Sequence, residues 1–179
     1  MRAPSQPLGF ANTPITPRAL RSEARSLLTA TPITPLTFAT FSQTIASEFI
    51  RGSAIAPALF ESAIALVSDT ETFDGGDVAY PIHEALSWHL TRFGYQARET
   101  LYGALLQNED GSTWQAKLST PRTDAKGKAQ KYETPVGNGA RAYLPLVPAS
   151  IRQPIADRYK IPVPLDGSFW DWLEQHPEV

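Results

Sequence analysis

Apolar positions fall at helical spacing in several stretches of this chain and alternate with polar ones in others. Phe38, Phe41, Ile45, Phe49 and Ile50 recur close to i, i+3, i+4 and predict a helix over residues 38–50, closed by Arg51-Gly52. Pro57 then sits where a first-turn proline starts a helix, and Leu59, Phe60, Ile64 and Val67 make an apolar face over 57–67. Together these two read as a helical hairpin. Residues 81–92 predict another helix, holding Ile82, Leu86, Trp88 and Leu90, ended by Gly94. Leu101 to Gln107 is apolar enough for a strand, and Asn108-Glu109-Asp110-Gly111 is a four-residue turn. Residues 114–118 alternate as a half-buried strand does, and 130–133 is a second short strand closed by Pro135. The expectation is a meander of 101–107, 114–118 and 130–133.

Beyond it, 142–147 is short and apolar. Ile151, Ile155 and Tyr159 lie four apart and predict a helix over 150–160. A last short helix follows Ser168 and carries Phe169, Trp170, Trp172 and Leu173. Its two tryptophans lie about 200° apart around the axis, so one side is expected to stay partly exposed.

The first residues behave differently. Pro4, Pro7, Pro14, Pro17, Pro32 and Pro35 remove backbone donors and restrict their predecessors, so residues 1–37 predict a disordered Pro-rich extension before a body at 38–179. One helix at 19–28 is expected within it, with Thr16 as N-cap and Pro17 at the first turn. The predicted fold class is α+β, a small antiparallel β-meander with flanking helices.

Charge sharpens this picture. Residues 111–145 carry Lys117, Arg122, Lys126, Lys128, Lys131 and Arg141 against Asp124 and Glu133, a net +4 in a chain of net charge −2. The remainder is therefore net −6, so charge is sorted rather than mixed. A positive finger on an acidic body suits a polyanion. These six cations and Tyr132, whose ring can stack on a base, are the candidate nucleic-acid-binding residues. The alternative is a solvated hairpin whose lysines keep it soluble. A pI of 5.9 confines any such contact to a patch.

Other chemistry is poorly provided for. The chain has no cysteine, which excludes disulfides and thiolate metal sites. Asp69, Glu71, Asp74 and Asp77 could offer oxygen ligands to a hard cation, but their spacing is not that of an EF-hand, and a solvated loop is expected. His83 and His89 are six apart, about 120° from sharing a helix face, so a metalloprotease zinc site is rejected. Gly137-Asn138-Gly139 lacks the lysine and hydroxyl of a P-loop and reads as a turn. No catalytic triad or paired carboxylates can be assembled, so this stretch is expected to be non-catalytic and to need no cofactor. No apolar run reaches membrane-spanning length, and MRAPSQPLGF has no signal-peptide core, so a cytoplasmic location is expected.

Four segments together carry a resemblance: FIRGSAIAPALF (49–60), YPIHEALSWHLTRFG (80–94), NEDGSTWQAKLSTPRTDAKGKAQKYETPVGNGARAYLP (108–145) and SFWDWLEQHPEV (168–179). They resemble the N-terminal region of cyanobacterial plasmid replication proteins of the replication-initiator type, from about residue 38 onward. The most specific piece is W-Q-x-K-L-x-x-P-R, then K-Y-E-T-P and R-A-Y-L-P. In such proteins this region precedes a Toprim-like segment opening with an apolar strand and Thr-Glu-Gly, which would follow Val179. The resemblance thus implies the leading, truncated part of a replication protein that contacts DNA or an RNA–DNA end. It also leaves open a non-catalytic module that docks on the Toprim-like domain or another replication subunit. Toprim carboxylates that hold Mg²⁺ against phosphate match no position here.

Overall fold

The computed structural model describes residues 35–93 and 98–177. The expectation of a helix at 19–28, and of disorder before Pro35, lies outside the described residues. Leu36–Val179 forms one compact unit. In chain order its elements are α1 (Phe38–Ala46), a π-helical turn (Ser47–Gly52), α2 (Pro57–Ala63), β1 (Ile64–Ser68), β2 (Glu71–Thr72) and β3 (Val78–Ala79). There follow α3 (Pro81–Ala85), a 3₁₀ turn (Leu90–Arg92), β4 (Tyr102–Gln107), β5 (Thr113–Leu118), α4 (Ala149–Tyr159) and α5 (Phe169–Glu174). The fold class is α+β.

The sheet is antiparallel with β4 in the middle, in the order β1-β4-β5. Ile64 pairs with Leu106 on one side of β4, and Leu105 pairs with Ala116 on the other. β4 is apolar at nearly every position because both its faces are covered. Leu105 belongs to a cluster with Ile82, Leu86, Trp88, Leu101, Ala116 and Leu118. Ala104 and Leu106 point the other way, into Phe41, Ile45, Phe60 and Ile64. Each such large side chain contributes about 1.5–3 kcal/mol on burial. The α3 helix comes close enough that a Cβ on Gly103 would lie 2.9 Å from Ile82 Cδ1.

Four local expectations are corrected. The helix predicted over 57–67 stops at Ala63, and Ile64–Ser68 is a strand. The run Ile-Ala-Leu-Val satisfies a helical face as well as a strand buried on both sides, and pairing with β4 decides it. The helix over 38–50 turns π-helical at Ser47. The helix over 81–92 ends at Ala85, because Ser87 adopts a left-handed conformation (φ 53°) and the chain resumes as a 3₁₀ turn. Residues 130–133 form no strand: the third strand is β1, and Glu133 makes a single bridge to Ala116 on the edge of β5.

In the acidic loop Glu71, Asp74 and Asp77 are exposed as expected, and only Asp69 is corrected. Asp69 is fully buried; its Oδ1 accepts from the backbone N–H of Ile82 and of His83, at 3.0 and 3.1 Å. His83 Nδ1 lies 2.6 Å from Asp69 Oδ2, so one carboxylate holds the start of α3. Burial raises the Asp69 pKa above the usual carboxylate range, against the pull of His83. Among the described residues no three His, Asp or Glu side chains assemble as metal ligands, and no helix is long and apolar enough to cross a membrane.

The C-terminal part is fastened by Arg152, which sequence reasoning passed over. It is 2% exposed and donates to the carbonyls of Val147 and Gly167 and to Glu109 Oε1. Glu109 in turn accepts from Ser168 Oγ and Phe169 N–H at the start of α5. On α5, Phe169, Trp170, Trp172 and Leu173 are each half-buried.

Candidate nucleic-acid interface

The basic segment is ordered by its own two carboxylates. Pro121 follows the end of β5, and Thr123 then bridges Ala129 to make a small hairpin. Asp124 Oδ1 accepts from the backbone N–H of Lys126 and Lys128, at 2.8 and 2.9 Å, and Gly127 takes the left-handed conformation (φ 78°) that closes the turn. These bonds fix the backbone at the tip and leave the Lys126 and Lys128 side chains exposed.

The base of the hairpin is held by Arg122 and Glu133. Arg122 donates through Nε to Glu133 Oε1 at 2.7 Å and through Nη2 to Oε2 at 2.5 Å, with a third bond to Gln130 at 3.1 Å. Such a bidentate pair is short and directional. The Glu133 carboxylate holds the Arg122 pKa above its usual value. Glu133 is anchored to β5 by reciprocal backbone bonds with Ala116, both 2.8 Å. Val136 N–H donates to Leu86 O at 3.0 Å, which joins the segment to the end of α3.

A groove of about 820 Å³ lies between these two parts, lined among others by Trp88, Arg92, Arg122, Lys128, Lys131 and Tyr132. Trp88 is buried, with His83 edge-on at 6.0 Å, so the Asp69–His83 pair backs its wall. Arg92 lies over the Trp88 ring at 4.2 Å from its centroid and Arg122 at 5.3 Å. Lys131 Nζ is 5.4 Å from the Tyr132 ring centroid. Among the described residues, Arg92, Lys126, Lys128 and Lys131 are exposed and form no ion pair.

The predicted site residues thus separate. Lys128, Lys131, Tyr132 and Arg122 meet at the groove, with Lys126 at the hairpin tip. Lys117 points elsewhere and pairs with Glu48 of the π-helical turn. Arg141 is exposed, donates to Asn138 Oδ1 at 3.3 Å and lines a separate cleft with Glu109, Asp110 and Trp170. Trp114 is stacked on Tyr143 at 4.7 Å and donates to Arg141 O, so its ring is occupied within the protein. Burial pushes the Tyr143 phenol up to about 12. Arg92 is the groove residue that sequence reasoning missed. Its signal was an arginine four residues after a tryptophan, but it lies outside the charged segment 111–145 that drew attention.

No protein-family profile, curated protein or solved structure matches this chain.

Proposed function

We propose that this domain binds nucleic acid through the groove and the hairpin tip, as an accessory domain of a plasmid DNA replication protein. One observation carries the binding reading: three exposed cations without ion-pair partners among the described residues, Arg92, Lys128 and Lys131, line a groove whose two carboxylates are already engaged, and Lys126 stands at the adjoining hairpin tip. Glu133 is neutralised by Arg122, and Asp124 is spent on backbone amides. A phosphate backbone therefore meets Arg92, Lys126, Lys128 and Lys131 with Asp124 as the one carboxylate of the lining not paired with a cation, a net positive surface. The replication context rests on the resemblance of the four sequence segments, and it makes DNA or an RNA–DNA end the partner. Fluorescence anisotropy with labelled oligonucleotides at low salt tests this reading. Binding that weakens on exchange of Lys126, Lys128 and Lys131 for alanine supports it; no binding by the unmodified chain refutes it.

A second reading, a non-catalytic module that docks on a following Toprim-like domain or another replication subunit, is favoured by α5. Its aromatic residues are only half-buried; Leu165 just before it is exposed, as are Leu144 and Leu146 on either side of Pro145, whose carbonyl accepts from Trp170 Nε1. Association with a separately expressed Toprim-like segment, lost on exchange of Trp172, is its test.

A further inference from the structure

We infer that the groove selects an unpaired strand over a duplex, with Arg92 as a stacking platform for a base; this rests on the nucleic-acid reading of the groove. The first support is size. A groove of about 820 Å³ has room for a few nucleotides and not for a turn of duplex. A B-form duplex presents a major groove that alone is ~12 Å wide, so it can lie across the rim but cannot enter. A single strand enters with its bases turned inward.

The second support is the state of the aromatic and guanidinium groups. Trp88 is 6% exposed, so its own ring is out of reach of a base. Arg92 covers it at 4.2 Å and is itself exposed. Its exposure leaves the guanidinium within reach of a base, since bases stack on guanidinium planes as they do on aromatic rings. The buried indole beneath holds the plane in place. Arg122 is less suited: it stands farther from the same ring, at 5.3 Å, and its side chain is less exposed, with its edge held by Glu133. Tyr132 lines the same groove, half-buried, and offers a second ring, while Lys128 and Lys131 lie beside it for the intervening phosphates. Charge on the rim gives affinity for either form of nucleic acid; the covered indole and the concave shape give preference for the unpaired one.

The ligand class is therefore single-stranded nucleic acid, and DNA and RNA oligomers distinguish its two sources. The decisive variant is Arg92→Lys, which keeps the charge and removes the plane. Equilibrium binding is measured with a single-stranded DNA 12-mer, the same RNA sequence and the corresponding blunt duplex, at one salt concentration. The expected result is tighter binding of at least one single strand than of the duplex, by about tenfold or more. Arg92→Lys should weaken single-strand binding about fivefold or more, as expected when one stacked base is released, and leave duplex binding unchanged. Equal or tighter binding of the duplex by the unmodified chain overturns the inference while leaving nucleic-acid binding standing. Unchanged single-strand affinity in Arg92→Lys overturns the platform. Absence of binding to all three refutes the reading on which the inference rests.

Discussion

Glu133→Gln should loosen the basic hairpin without touching any exposed cation. The exchange keeps the shape of the side chain but removes the charge that accepts two bonds from Arg122, at 2.7 and 2.5 Å. Breaking a fully buried pair costs about 3–5 kcal/mol, whereas an exposed pair contributes ~0.2–1 kcal/mol. Here the Glu133 side chain is 6% exposed and that of Arg122 is 34% exposed, which places the pair between those limits, at about 2 kcal/mol. For a chain of this size that corresponds to a fall in Tm of about 4–8 °C. Urea unfolding of the single variants Glu133→Gln and Arg122→Met and of the double variant isolates the pair energy. A coupling energy of about 1.5–2 kcal/mol is expected. A coupling below about 0.5 kcal/mol would mean that the pair does not clamp the hairpin, and the ordered wall of the groove would lose its explanation.

Two further outcomes follow from the packing. Gly103→Ala should destabilise by about 1–3 kcal/mol, because the new methyl group meets Ile82 Cδ1 at 2.9 Å in a fully buried site; Ile82→Val in the same chain should recover much of the loss, and a stabilised single variant would contradict the close approach. Tyr143 has its pKa raised to about 12, so its contribution to stability is fully present below pH ~10 and is lost as the pH rises toward 12. Denaturant titrations between pH 9 and 12 should show a steeper fall for the unmodified chain than for Tyr143→Phe, and identical slopes would argue against burial of the phenol.

Parts of this architecture were legible in the sequence. Strands β4 and β5 were legible because β5 alternates and Asn108–Gly111 joins them as a turn; α4 and α5 were legible from Ile151, Ile155 and the Ser168 cap. β1 was not, since a strand covered on both faces has no alternation to read. The charge sorting pointed to the hairpin, and its tip does present Lys126 and Lys128. What charge counting could not separate is a cation spent on structure from one left open. Arg122 and Lys117 have partners 11 and 69 residues away in sequence, and only the folded chain brings them together. Arg92 escaped for a related reason: its value lies in the buried ring beneath it. Asp69 looked like part of a solvated acidic loop, yet it caps the start of α3 from 13 residues away.

If the exposed cations grip phosphates while the paired ones build the wall, the salt dependence of binding reports the difference. On a single strand, each lysine that no longer neutralises a phosphate lowers the slope of log K against log salt by ~0.7. Replacing Lys126, Lys128 and Lys131 together with alanine should therefore flatten that slope by ~2 and leave Tm nearly unchanged, because exposed lysines contribute little to the fold. Lys117→Ala, which removes a partner of Glu48 outside the groove, should leave the slope as it was. An unchanged slope in the triple variant, or an equal loss from Lys117→Ala, would contradict the account.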